Sequence, residues 1–223
     1  MAGPSYAVAK EARPSRRPNV ETGLAKLEFF FDCSSPWTYL AFTRVQPVVA
    51  RTGADIVWKP ILVGGVFNAA NKDVYERRAN PDPRKAPYSA KDLQDWARLV
   101  GIKIVMPPPV FPVRATLAMR CALAAQDEGK LVEFARNCFE AYWSLSKDIS
   151  LPNVIAEICV ESDLDGDHIL ERSQADEIKD RLRANTDEVI ARGGFGSPTM
   201  FVGGSDMYFG NDRMELVEAA LAR

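Results

Sequence analysis

The step from Leu27-Glu28-Phe29-Phe30-Phe31 to Ser35-Pro36-Trp37-Thr38-Tyr39-Leu40-Ala41 constrains this chain more than any other feature. The apolar run reads as a strand, and Asp32-Cys33-Ser34 breaks it. Pro36 suits the first helical position, because its fixed φ is already helical and its missing N–H would have been an orphan there. Ser35 is then the N-cap. A hydroxyl therefore stands at the positive end of a helix, where free amides and the macrodipole favour a thiolate, a carboxylate or a phosphate. The plainer alternative is that Ser35 only caps its helix.

Trp37, Leu40, Ala41, Val45, Val48 and Val49 continue a 3.6-residue stripe that Gly53 stops. Ile56-Val57-Trp58 is a short strand ended by Pro60, so the chain opens with a right-handed βαβ unit and a parallel strand pair. The segment from Gly64 to Lys72 and the proline-rich Asn80 to Pro87 read as loops. Ser89 with Asp92 forms a capping box before Leu93, Trp96, Ala97 and Val100. Pro107-Pro108-Pro109 and Pro112 forbid regular structure, and helical stripes follow through Leu117 to Ala124, Leu131 to Tyr142 and Val154 to Cys159. A long helix over Ile178 to Ile190 ends at Gly193-Gly194. Met200-Phe201-Val202 and Met207-Tyr208-Phe209 pair as a hairpin, after which Asn211 caps a last helix with Met214, Val217 and Leu221 inward.

The 223 residues, 47% of them hydrophobic, suffice for a sizeable core. A net charge of −2 from 28 basic and 30 acidic residues gives no basic face for nucleic acid or an anionic membrane. No apolar run approaches the roughly 20 residues of a membrane span, and Met1 to Lys26 lacks the apolar centre of a signal peptide, so a cytoplasmic protein is expected. Cys33, Cys121, Cys138 and Cys159 form no Cys-x-x-Cys and read as buried reduced thiols. His168 is the sole histidine, which excludes a His-rich metal site and a His-based triad; no metal is expected. Residues 1–26, rich in arginine and proline without periodicity, read as a loose tail.

Asp32, Ser35, Pro36, Tyr39 and Leu40 resemble the opening motif of the 2-hydroxychromene-2-carboxylate isomerases and kappa-class glutathione transferases, within the DsbA-like branch of the thioredoxin fold. Redox members carry Cys-x-x-Cys where this chain has Ser35-Pro36-Trp37-Thr38. The resemblance implies an α/β thioredoxin-like fold formed by residues 27–66 and 186–223, with residues 67–185 as an inserted helical domain. It implies glutathione as cofactor and Ser35 as the catalytic serine that binds and activates its sulfur. Ser197-Pro198-Thr199 matches the family's cis-proline motif, which places the Ser197 backbone and Pro198 against glutathione. Asn71 of Asn71-Lys72, Lys85 three residues before Tyr88, and Asn211-Asp212 match the remaining glutathione contacts, Lys85 at the glycyl carboxylate and Asn211-Asp212 at the γ-glutamyl amine. Trp37 and Trp143 are expected in the acceptor pocket, and Asp148 at a turn. Arg114-Ala115 departs from the pattern, where an asparagine and a hydroxyl residue are expected; Arg114 either holds a substrate carboxylate or faces water. The implied activity is a glutathione-dependent isomerisation. The alternatives are a kappa-like transferase, a non-catalytic thiol or peptide binder, and thiol exchange at Cys33. Expected partners are glutathione and a small aromatic or electrophilic substrate, with a homodimer as the assembly.

Overall fold

A computed structural model of the chain describes residues 25–223. The tail expected over residues 1–26 lies outside the described residues except at Ala25 and Lys26. Strand β1 (Lys26–Phe31), helix α1 (Pro36–Thr52) and strand β2 (Asp55–Pro60) form the expected βαβ unit, with Phe29 opposite Trp58 in the parallel register. Strand β3 (Thr199–Val202) runs antiparallel to β1, and strand β4 (Asp206–Phe209) antiparallel to β3, giving the order β2-β1-β3-β4.

Strand β1 is central and covered on both faces. Because side chains alternate across a strand, Leu27, Phe29 and Phe31 enter the main core with Phe42 and Val45 of α1. Phe30 enters a smaller core of Ile61, Val66, Val189 and Phe201. The uninterrupted Phe29-Phe30-Phe31 run is the sequence signature of that double burial, and each buried phenylalanine contributes about 1.5–3 kcal/mol.

Helices fill the chain between β2 and β3: α2 (Val63–Ala70), α3 (Asp73–Ala79), α4 (Lys85–Val100), α5 (Thr116–Asp127), α6 (Leu131–Phe139), α7 (Pro152–Glu161), α8 (Gly166–Arg172) and α9 (Asp176–Ala191). Helix α6 runs on into a π-helical turn over Glu140–Ser144. The chain ends on a 3-10 turn, Asn211–Arg213, and helix α10 (Met214–Leu221). The divisions expected at 66/67 and 185/186 cut through α2 and α9, and residues from α4 to α9 share one core with β1 and α1.

Three local expectations are corrected. Gly64 to Ala70 is helix α2 rather than loop, because Val63 and Val66 are buried and Gly65 lets α9 approach: a Cβ there would lie 3.2 Å from Thr186 Cγ2. Helix α4 starts at Lys85, a turn before the Ser89 capping box. Just ahead of it Asp82 Oδ1 accepts the N–H groups of Arg84 (2.8 Å) and Lys85 (3.1 Å), and Pro87 falls in the first turn, where its missing N–H costs nothing. Asn211 does not cap α10 with its side chain; Arg44 reaches its carbonyl and, at 3.4 Å, its Oδ1. The Ser197-Pro198 peptide is cis, as are Met106-Pro107 and Phe111-Pro112 in the proline-rich stretch.

Candidate functional site

The end of β1 and the start of α1 are held by a set of hydrogen bonds, several of them to residues distant in the chain. Ser35 is the N-cap, with φ −107° and ψ 121°, and its Oγ accepts the Thr38 N–H at 3.2 Å. The same hydroxyl donates to the Ser197 carbonyl at 3.1 Å. Ser197 Oγ accepts the Asp32 N–H at 3.0 Å and lies 2.8 Å from Thr38 Oγ1. Ser35 and Thr38 are thus both tied to the cis-proline loop. Asp32 accepts the Ser34 N–H and hydroxyl, each at 2.8 Å, and the Val63 N–H at 2.8 Å. Burial raises its carboxyl above the usual value, against the pull of those three bonds.

Cys33 is shut away from this site. Its backbone carbonyl accepts the Trp143 indole N–H at 2.9 Å, and burial pushes its thiol well above the ordinary value, with Cys138 adding to the shift. A thiolate, the species thiol exchange needs, is disfavoured there.

Ser35 lines a cleft of ≈ 1110 Å³. Of the residues expected in the site, Ser35, Trp37, Asn71, Ser197, Pro198, Asn211 and Asp212 line it together. Lys85, Arg114 and Trp143 do not. Lys85 is the exposed first residue of α4, and Arg114 is exposed outside the cleft. Trp143 is fully buried and acts as a brace for the Cys33 loop, so it is scaffold rather than pocket wall. Asp148 does fix a turn: its Oδ1 accepts the Ser150 N–H at 2.9 Å and hydroxyl at 2.7 Å.

The cleft brings in residues that the sequence did not single out. Phe67, Tyr75, Trp96, Phe111, Phe195 and Phe209 make much of its wall aromatic, and Arg77 and Arg78 enter it from α3. Phe67 was hidden because Gly64 to Lys72 read as loop, and a loop has no inward face to assign; Asp73 to Ala79, which carries Tyr75, Arg77 and Arg78, was assigned to no element. Asn71 joins two walls, donating from Nδ2 to the Phe195 carbonyl at 3.2 Å while its Oδ1 accepts Arg77 at 3.2 Å. Asp212 pairs with Arg213 at 2.8 Å. That carboxylate folds over Gly210, where a Cβ would sit 2.7 Å from Asp212 Oδ1, and the φ of 102° there requires glycine.

A hydroxyl at a helix N-terminus, a neighbouring backbone bend and an aromatic wall suit a small anionic nucleophile meeting a planar partner. Among the described residues no helix is long and apolar enough to cross a membrane.

A family model described as DSBA-like thioredoxin domain matches residues 26–222. The 2-hydroxychromene-2-carboxylate isomerase of Pseudomonas putida is 30% identical over 206 residues, covering 88% of this chain and 94% of the relative. Glutathione S-transferase kappa 2 of Caenorhabditis elegans is 28% identical over 208 residues, covering 88% and 91%. Among solved structures, a 2-hydroxychromene-2-carboxylate isomerase superposes with a TM-score of 0.71 at 26% identity, covering 89% of this chain and 95% of that one.

Proposed function

Because the chain belongs to the DSBA-like thioredoxin domain family, in the group of 2-hydroxychromene-2-carboxylate isomerases and kappa-class glutathione transferases, we propose that it is a glutathione-dependent isomerase of the 2-hydroxychromene-2-carboxylate type. The observation that carries this reading is the Ser35 hydroxyl, fixed at the N-terminus of α1 on the wall of a cleft large enough for a tripeptide and a bicyclic substrate.

The residues fit glutathione. Ser197 lines the cleft and its N–H has no protein acceptor among the described residues, which leaves it free to pair with an extended peptide backbone. Asn211 and Asp212 present an amide and an acid to an ammonium group, and Asn71 with Arg77 presents an amide and a cation to a carboxylate. Arg77 in the cleft thereby takes the part expected of Lys85.

Bound glutathione would supply a thiolate that adds reversibly to the conjugated substrate and leaves again after rotation about the bond made single. The chain's task is to hold that sulfur ionised. A thiol with a pKa of about 8.5 needs about 2.7 kcal/mol to fall by two units. A helix N-terminus contributes about 0.3–1 kcal/mol and a hydrogen bond to a charged group about 1.5–3 kcal/mol. The Thr38 N–H anchors Ser35 Oγ, so the hydroxyl proton, which meets the Ser197 carbonyl here, needs only to rotate toward a sulfur. A kappa-type transferase would use the same residues, with the sulfur staying attached to an electrophile.

The test is spectrophotometric interconversion of 2-hydroxychromene-2-carboxylate with and without glutathione, beside calorimetric titration of glutathione. Isomerisation that requires glutathione supports the reading. Absence of glutathione binding, or turnover indifferent to it, would overturn the reading.

A further inference from the structure

Three guanidinium groups line the cleft, and two of them are committed. Arg77 bonds Asn71, and Arg213 bonds Asp212. Arg78 makes no ion pair or hydrogen bond within the protein among the described residues, so all five of its N–H donors remain to be used. It is held instead by stacking: its guanidinium carbon lies over the Phe67 ring, 5.5 Å from the centroid, and over the Phe111 ring at 5.7 Å. Phe111 is itself backed by the buried Trp143 at 6.4 Å.

Such a group is both oriented and unspent. An arginine over aromatic faces loses less freedom when it binds than a mobile lysine, and its planar fork matches a carboxylate through two parallel N–H···O bonds. Phe67 and Phe111 line the cleft with it, so a flat conjugated molecule there meets an aromatic wall beside the cation. Cation and ring wall side by side describe a ligand with a carboxylate conjugated to a planar ring system.

We propose that Arg78 is the specificity-determining residue of this cleft, selecting planar conjugated carboxylates as the second substrate over uncharged planar electrophiles. This deepens the isomerase reading and rests on it for the identity of the cleft. It moves the carboxylate-binding part from Arg114, which is exposed outside the cleft, to Arg78.

The experiment is fluorescence titration of the full chain, with glutathione omitted, using two flat probes that differ in one group: coumarin-3-carboxylate and coumarin. The wild type is expected to bind the carboxylate at least about tenfold more tightly, as one bidentate charged contact allows. Arg78→Gln should bring the two probes to within about twofold while leaving coumarin affinity unchanged, and Arg78→Lys should keep an intermediate preference because it holds the charge without the fork. Arg78 is exposed, so its variants should unfold at the wild-type temperature. Equal binding of both probes by the wild type, a preference that survives Arg78→Gln, or a full preference in Arg78→Lys would overturn the proposal. Preference lost in Arg78→Gln by a wild type that binds no glutathione would sink the isomerase reading and leave the Arg78 assignment standing.

Discussion

Ser35 has two partners that make different demands on its side chain. Its oxygen accepts the Thr38 N–H as a cap, and its proton goes to the Ser197 carbonyl. Ser35→Ala loses both and should cost about 1–2 kcal/mol in urea unfolding. Ser35→Asp restores the cap but sets a carboxylate against the Ser197 carbonyl, so it should recover only part of that loss, while either variant lowers glutathione-dependent turnover by about a hundredfold or more, through a lost donor or charge repulsion. An active Ser35→Asp enzyme would reduce Ser35 to a helix cap. A second pair of substitutions separates motif from geometry: Asp212→Ala should weaken glutathione binding by about 1–3 kcal/mol, as for a charged hydrogen bond, and Lys85→Ala, outside the cleft, should leave it unchanged by calorimetry. Equal losses would return Lys85 to the site. At this scale the sequence was legible where a residue's role is local. Ser35 and Pro36 announce a cap whatever the rest of the chain does, whereas Trp143 could be placed in a wall or a core only once the π-helical turn had set its direction.

Among the elements, strand β1, helix α1 and the hairpin could be read because apolar runs and turn residues declare them over short spans. Helix α2 could not. Its Gly64-Gly65 pair has the propensity of a breaker, and the packing that accounts for Gly65, the close approach of Thr186 from α9, is a contact across more than a hundred residues of chain. Reading α2 as loop and leaving Asp73 to Ala79 unassigned hid Phe67, Tyr75, Arg77 and Arg78, and with them one wall of the cleft. The junction of α9 with β3 offers a test of such packing. A Cβ at Gly194 would lie 2.5 Å from Val189 Cγ2 and 2.8 Å from the Val189 carbonyl oxygen, a backbone atom that cannot swing aside. Gly194→Ala should therefore destabilise the protein by about 1–3 kcal/mol and lower its thermal midpoint by several degrees. An unchanged midpoint would show that the end of α9 shifts freely.

At the scale of the whole molecule, the buried thiols couple the core to pH. Burial pushes Cys121 and Cys159 each up to about 12, and raises Cys33 well above its ordinary value as well. Unfolded thiols ionise first as pH rises, so these groups contribute stability that is fully present below about pH 9 and is lost toward pH 12, at up to about 1.4 kcal/mol per pH unit for each. The stability difference between wild type and Cys121→Ala should shrink over that range, and none of the four buried cysteines should react with an aromatic disulfide reagent at pH 8 before unfolding. Prompt reaction of one thiol in the folded protein would contradict the burial and reopen thiol exchange at Cys33. The architecture itself was legible from the order of strand, helix, strand, helices and hairpin, because few folds accommodate that order with a right-handed crossover. The proposed function assigns glutathione chemistry to the hydroxyl of Ser35, and the measurement that tests this assignment most directly is the ionisation of glutathione on the protein, followed by thiolate ultraviolet absorbance as pH is varied. The thiol pKa of bound glutathione should lie at least about one unit below that of the free tripeptide in the wild type and return toward it in Ser35→Ala; a bound pKa equal to the free value, or one that Ser35→Ala leaves unmoved, would contradict the assignment.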